Sequence, residues 1–286
     1  MSAAWPRELL RRPNGVLGVV VLVVLVLSAV VSTFWTPQDP FATDPFHRWQ
    51  GPSGAHLLGT DGVGRDVFSY VFAASRTALV VAVLSSLVAG VVGVALAAVG
   101  ALGPRWLREP VAVLIDVLIA FPVLLIAIML SAVLGPSLTE VVIAVGIGFG
   151  VNIARVARGE IRRVARSGYV LAARAAGLGP GRVLIDHLLP NIAPVLIVQL
   201  SLSAGVAVLS EAGLSFLGYG APPSTPSWGR LLGDLQNYVT IYPLTAVWPG
   251  LAITVSVLAF NLFGDALREA TDPRLRSSRR GRSRAR

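Results

Sequence analysis

The stretch LAARAAGLGPGRVLIDHLLPN, residues 171–191, is a short polar island between two long apolar runs. It is rich in Ala and Gly, ends in Pro-Asn and carries no recognisable catalytic group. Its local signals describe two short helices. Ser167 is placed to cap the first, which runs through Ala172 and Ala173 and stops at Gly177, a residue free to take a left-handed backbone. Pro180 suits the first turn of the second, which continues through Val183, Leu184 and Leu188. Pro190 is expected to end that helix and Asn191 to cap the apolar run that follows, with Pro194 in its first turn. Such a hairpin either lies on lipid headgroups or seats its small-residue face in a groove on another protein.

The chain around it has 286 residues, 54% hydrophobic and only 14% charged, with a mean hydropathy of +0.72. Soluble domains are about a quarter charged, so the composition is that of a membrane protein. A span needs about 20 apolar residues to cross about 30 Å of hydrocarbon. Six stretches meet or approach that length: 15–34, 77–102, 111–134 with Asp116 near its start, 141–154, 192–210 and 241–264. In the fourth, Glu140 and Arg155 bracket the apolar core and are expected at opposite interfaces. The expected fold is therefore all-α and polytopic, with six transmembrane helices. Residues 1–14 precede the first helix at 15–34, and an outer segment covers 35–76. A five-helix core at 77–267 carries the loop 155–191 on one side and the loop 218–240 on the other, before a basic tail at 268–286.

All 24 basic residues are Arg. Without Lys there is no P-loop, whose lysine reaches the β- and γ-phosphates, so any ATP must be hydrolysed by another chain. Cysteine is absent as well, which removes disulfides and thiolate metal sites. His47, His56 and His187 form no metal-ligand pattern, and GTDGVGRD at 59–66 reads as a turn into the second span rather than a calcium loop. No cofactor is expected on this chain.

Alternating the six spans puts twenty of the 24 Arg on one side, leaving Arg48, Arg65, Arg76 and Arg230 on the other. The positive-inside rule then makes both termini cytoplasmic in a multi-pass cell-membrane protein. Seven Arg in the tail from Arg274 account for most of the net charge of +9; beside a last span they read as a lipid anchor, not a nucleic-acid contact. The first apolar run is long for a signal peptide and is read as a retained helix. Trp35, Trp228 and Trp248 fall at the outer boundary and Trp106 at the inner one.

Small residues recur every four positions at Ala89, Gly93, Ala97 and Ala101, and again at Gly146 and Gly150. This spacing lets backbones approach, either within the chain or against a second membrane subunit. Asp116 is read as an inner-interface acid. Glu211 lies near the outer interface, facing a transport cavity or capping the GLSF turn.

Residues 171–191 resemble the "EAA" loop of permease subunits of binding-protein-dependent ABC importers. That pattern is Glu-Ala-Ala, three residues, Gly, nine residues and His-x-Leu-Pro-Asn. Ala172, Ala173, Gly177, His187, Leu189, Pro190 and Asn191 fall in register, and Leu171 stands at the Glu position. A carboxylate there would pair with basic groups; Leu replaces that with apolar docking. GTDGVGRDVFSYVFAASRTAL at 59–79, DVLIAFP at 116–122 and EAGLSFLGYGAPPSTPSWG at 211–229 are similar to segments of the dipeptide and oligopeptide (C-type) branch, with Tyr70 where Arg is usual. The resemblance spans about residues 5 to 273. It implies a type I ABC importer permease-like fold and transport of di- or oligopeptides, with nickel or glutathione import as related alternatives. An ion-driven secondary transporter, the contrasting class, would show discontinuous helices and several buried acids. The resemblance also implies a homologous second permease, two ATPase subunits or one fused ATPase using ATP and Mg, and an extracytoplasmic peptide-binding protein. The coupling loop would comprise Leu171, Ala172, Ala173, Gly177, His187, Pro190 and Asn191. Glu211, Ser215, Phe216 and Trp228 would lie at a translocation path or outer gate.

Overall fold

The computed structural model describes residues 12–271, and these form helices without a β-strand. Arg7, Arg11 and the arginine tail from Arg274 lie outside the described residues. In chain order the helices are α1 (Pro13–Phe34), α2 (Val67–Leu102), α3 (Arg105–Ala120), α4 (Val123–Leu134), α5 (Leu138–Ala165), α6 (Gly168–Ala175), α7 (Pro180–Val183), α8 (Leu189–Phe216), α9 (Trp228–Leu235) and α10 (Pro243–Thr271). Five helices are long and apolar enough to cross a bilayer, and there are six spans if the bent pair α3 and α4 counts as one.

That bend corrects the sequence reading of one straight span over 111–134. The chain turns by 79° between α3 and α4. Pro122 disfavours the helical region for Phe121, which takes extended angles (φ −87°, ψ 128°). The second span is also longer than expected. It begins at Val67 instead of Thr77, because Asp66 caps it by accepting the Ser69 N–H at 2.8 Å, and exposed Arg76 rides on its surface. At 36 residues α2 is about 54 Å long and exceeds the hydrocarbon core. The helix of the fourth span, α5, continues past Arg155 to Ala165. Glu140 sits in the first turn of α5 and Arg162 and Arg163 in the last, as the helix dipole favours. Arg155 binds Asp116 of α3 at 2.7 Å, with both side chains mostly exposed.

Helices α2 and α5 make the most extensive pairing in the bundle. The small residues noted in the sequence meet here, within the chain. A Cβ on Gly93 would lie 2.6 Å from the Ile153 side chain and 2.9 Å from the Gly150 carbonyl; one on Gly146 would lie 2.6 Å from Val88. Ala89 and Ala97 are fully buried beside them. Helix α8 packs on the same pair, and α10 and α1 close the outside, where a Cβ on Gly18 would meet the Phe263 amide at 2.9 Å. Hydroxyls stitch these contacts: Ser201 donates to the Phe260 carbonyl at 2.8 Å and Ser86 to the Leu200 carbonyl at 3.3 Å.

The outer segment 35–66 has no helix but is firmly tied down. Arg65 donates to Asp61 at 2.6 Å and to Asp234 of α9 at 2.9 Å, and its guanidinium lies over the ring of buried Tyr70. Trp49 stacks on Tyr242, with ring centroids 4.2 Å apart.

Gly93→Val should destabilise the bundle by about 1–3 kcal/mol through overpacking against Ile153. Gly213→Ala, where a Cβ meets nothing, should leave stability within about 0.5 kcal/mol. Thermal unfolding of the detergent-solubilised protein distinguishes the two; equal midpoints would contradict the close α2–α5 approach.

Candidate functional site

Helix α6 ends in a Schellman turn. The Gly177 N–H donates to the Arg174 carbonyl at 3.0 Å and the Leu178 N–H to the Ala173 carbonyl at 3.2 Å. Gly177 takes φ +88°, which L side chains rarely adopt. Pro180 then opens α7 in its first turn. Four expectations fail along this stretch. Ser167 does not cap α6, because its hydroxyl turns back and donates to the Val164 carbonyl at 2.6 Å. Pro190 does not end the second helix.

Residues Leu184–Leu188 form one π-helical turn, closed by the Leu189 N–H donating to the Leu184 carbonyl, and the chain continues without a break into α8. The wider turn moves the carbonyl that the Pro190 ring would strike and accommodates its missing donor. Asn191 therefore caps no new helix; its side-chain amide donates to the His187 carbonyl at 2.7 Å. Pro194 lies inside α8, beyond its first turn. The outcome is a single helical rod over Pro180–Phe216, 37 residues and about 55 Å long.

The inner face of the hairpin is welded to the bundle. Val170, Val183, Leu188 and Ile192 are buried against Ala97 of α2 and Ala157 and Ile161 of α5. Its outer face is open. Leu171 is 53% exposed and Ile185 64%, with Ala172, Arg174 and Ala175 also exposed. His187 meets Tyr169 edge-on, with centroids 6.4 Å apart, and this contact joins the two arms. Tyr169 and Ile185 were missed in the sequence; Tyr169 was the one aromatic residue of the stretch, whereas Ile185 stood among Val183, Leu184 and Leu188 with nothing to set it apart.

At the far end of the rod lies the second group of candidate residues. Glu211 is buried, and one carboxylate oxygen accepts from Ser215 at 2.6 Å and from Ser227 at 2.8 Å. Ser215 Oγ in turn accepts the Ala221 N–H at 2.8 Å. Trp228 is buried as well and donates its indole N–H to the Val71 carbonyl at 2.8 Å. Thr77 donates to the Pro226 carbonyl at 2.7 Å. Gly229 crosses so close to α8 that an added Cβ would overlap the Ala212 carbonyl. Glu211 and Ser215 thus share one polar knot, Trp228 anchors the neighbouring helix, and Phe216 alone of the four is exposed, at 40%. The knot ties the outer loop to the rod rather than lining open space.

The binding-protein-dependent transport system inner membrane component family matches residues 89–277, well over half of the chain. The chain belongs to this family. It is 34% identical to a dipeptide transport system permease protein of Alkalihalophilus pseudofirmus, over 95% of this chain and 89% of that one. It is 37% identical to a nickel transport system permease protein of Escherichia coli, over 91% and 94%. The fold is similar to that of a chain in an inward-facing MetNI methionine ABC transporter, with a TM-score of 0.58 and 17% identity. That match covers 71% of this chain and 97% of the other. The protein is a multi-pass inner-membrane permease subunit of the ABC importer class. The broken third span, a feature expected of the contrasting ion-driven class, is thus part of a different kind of transporter.

Glu211→Leu should strip the acceptor from two buried hydroxyls and cost about 1–3 kcal/mol. Glu211→Gln keeps an acceptor oxygen and should cost less. Limited proteolysis between 217 and 227 reads the effect, and equal cleavage in both variants would refute the knot.

Proposed function

We propose that this chain is one permease half of an ATP-driven importer of di- or oligopeptides, with 171–191 as the element that receives motion from a separate ATPase. The observation that carries the reading is an exposed apolar hairpin held rigidly on a helix that crosses the bilayer. Exposed Leu171 and Ile185 give a partner groove apolar area to bury, and neighbouring Ala172 and Ala175 permit close approach. Gly177 sets the angle between the two arms, while His187, Pro190 and Asn191 form the joint where the hairpin becomes the span. In this reading a homologous second permease completes the pathway. Two ATPase subunits, or one fused one, bind the hairpin and use ATP and Mg. A peptide-binding protein docks on the outer side, and both termini are cytoplasmic.

Closure of the ATPases would favour one of two packed states, and the rod would carry the displacement across the membrane. The knot around Glu211, with Ser215, Phe216 and Trp228, would act at the outer gate by moving α9 and its loop together with the rod. The peptide reading rests on likeness to the dipeptide permease. The 37% identity to the nickel permease supports nickel import as a second reading. Uptake of a labelled dipeptide and of nickel by the reconstituted complex, measured side by side, separates them.

Because the chain has no Cys, Ala172→Cys introduces a unique thiol. It should cross-link to the ATPase subunit in the assembled complex; labelling only by lipid-phase or aqueous reagents would refute the coupling role. Gly177→Val forces a β-branched side chain to φ +88° at a cost of about 1–3 kcal/mol, although nothing surrounds the site sterically. Uptake should be lost with normal membrane insertion, and unchanged uptake would overturn the assignment.

A further inference from the structure

At the arginine-rich end of the bundle, the last turn of α2, the start of α3, the end of α5 and the hairpin surround a cavity of about 600 Å³. Arg108, Arg162, Arg166 and Arg174 line it, contributed by α3, by α5 and the link after it, and by α6. Leu102, Leu171 and Leu178 add apolar surface to the wall. A water molecule occupies about 30 Å³ in the liquid, so this space suits a much larger guest.

Two of the guanidinium groups are held in place by backbone. Arg108 donates Nε–H to the Gly103 carbonyl and Arg162 donates to the Gly100 carbonyl at 3.1 Å. Each keeps further N–H donors free for another acceptor. Among the described residues none of the four forms an ion pair, while the acids Glu160 and Asp186 are engaged by Arg163 and Arg182. Four like charges around one cavity repel, and an anion between them turns that repulsion into attraction. Guanidinium forks match phosphate oxygens in particular.

The level of the cavity points to the source of the anion. It opens beside Leu102, where the charge-free run 77–102 ends, and four residues on Trp106 is 73% exposed, as interfacial aromatics are. Basic pockets between membrane helices at this depth take lipid headgroups. We propose that the cavity walled by Arg108, Arg162, Arg166 and Arg174 binds a phosphate group, and that its occupant is the headgroup of an anionic phospholipid in the adjoining leaflet. The site lies between the bundle and the hairpin, shares Leu171 and Arg174 with the hairpin's exposed surface, and does not depend on which solute the protein moves.

The test uses the full-length chain in mild detergent, titrated with phosphatidylglycerol, phosphatidylcholine or inorganic phosphate and read by native mass spectrometry. Wild type should retain phosphatidylglycerol in preference to phosphatidylcholine. The triple variant Arg162→Gln, Arg166→Gln, Arg174→Gln should bind it about tenfold more weakly or worse. Lys at the same three positions should restore part of the loss, since the charge returns without the fork. The substituted side chains are exposed, and a single symmetric gel-filtration peak confirms that the variants are folded. Equal binding of the two lipids, or no loss in the Gln variant, overturns the proposal. Inorganic phosphate binding as tightly as phosphatidylglycerol reassigns the site to a soluble anion and overturns the lipid. Unchanged lipid binding with lost ATPase assembly makes the cavity a seat for protein carboxylates, again against the proposal.

Discussion

A proline inside a helix removes one donor and pushes its ring at the carbonyl four residues back. Pro190 stands where the hairpin joins the long apolar helix, and there its ring and missing donor disfavour ordinary helical bonding. The π turn at Leu184–Leu188 accommodates both by spacing the backbone one residue wider just before the ring. Everything downstream depends on that accommodation. With it, the exposed face at Ile185 and the buried carboxylate at Glu211 lie on one continuous rod. A break at Pro190 would instead separate the hairpin from the far end of the helix.

The rod is useful only if its two ends are gripped. At the inner end, Val170, Val183 and Leu188 are buried, so the hairpin moves with α2 and α5 or not at all. At the outer end Glu211 holds Ser215 of the rod and Ser227 of the cap of α9, and Gly229 lets the backbones touch. Arg65 continues the chain of contacts by joining Asp61 in the outer segment to Asp234 on α9. The outer surface is therefore connected to the rod through short polar bonds, and those around Glu211 are shielded from water, where such bonds are strong and leaving them unpaired is costly.

Much of this was legible in the residues, and the failures have physical causes. Gly177 and Pro180 announced the hairpin because their backbone preferences are local and tertiary contacts do not reverse them. The small residues of α2 and α5 showed that backbones approach there, but spacing alone does not name the partner; the positions of Ile153 and Val88 do. Pro190 misled because a one-residue change in helical pitch has no sequence signature of its own. Asp66 and Ser69 carried a readable cap for α2, masked by Arg76, which looks like a boundary until the helix is seen to present it outward. The pairing of Asp116 with Arg155 joins helices 39 residues apart in sequence, beyond any local pattern. The Glu211 knot was half visible, since Ser215 lies four residues on along the same helix face; Ser227 arrives only through the fold.

An unbroken rod also constrains where the energy for movement can come from. The polar bonds and packed contacts that grip its two ends are satisfied as they stand, so the rod itself holds no drive toward a second arrangement. A ligand moves such an equilibrium only by as much as it prefers one state over the other. On the proposed reading that preference is supplied where the chain is least satisfied, at the exposed Leu171 and Ile185 surface, whose burial by a partner is favourable in proportion to the apolar area removed from water. The hairpin then needs no catalytic group. Rigidity and an unfilled apolar face are enough to convert a partner's closure into tilt of the bundle.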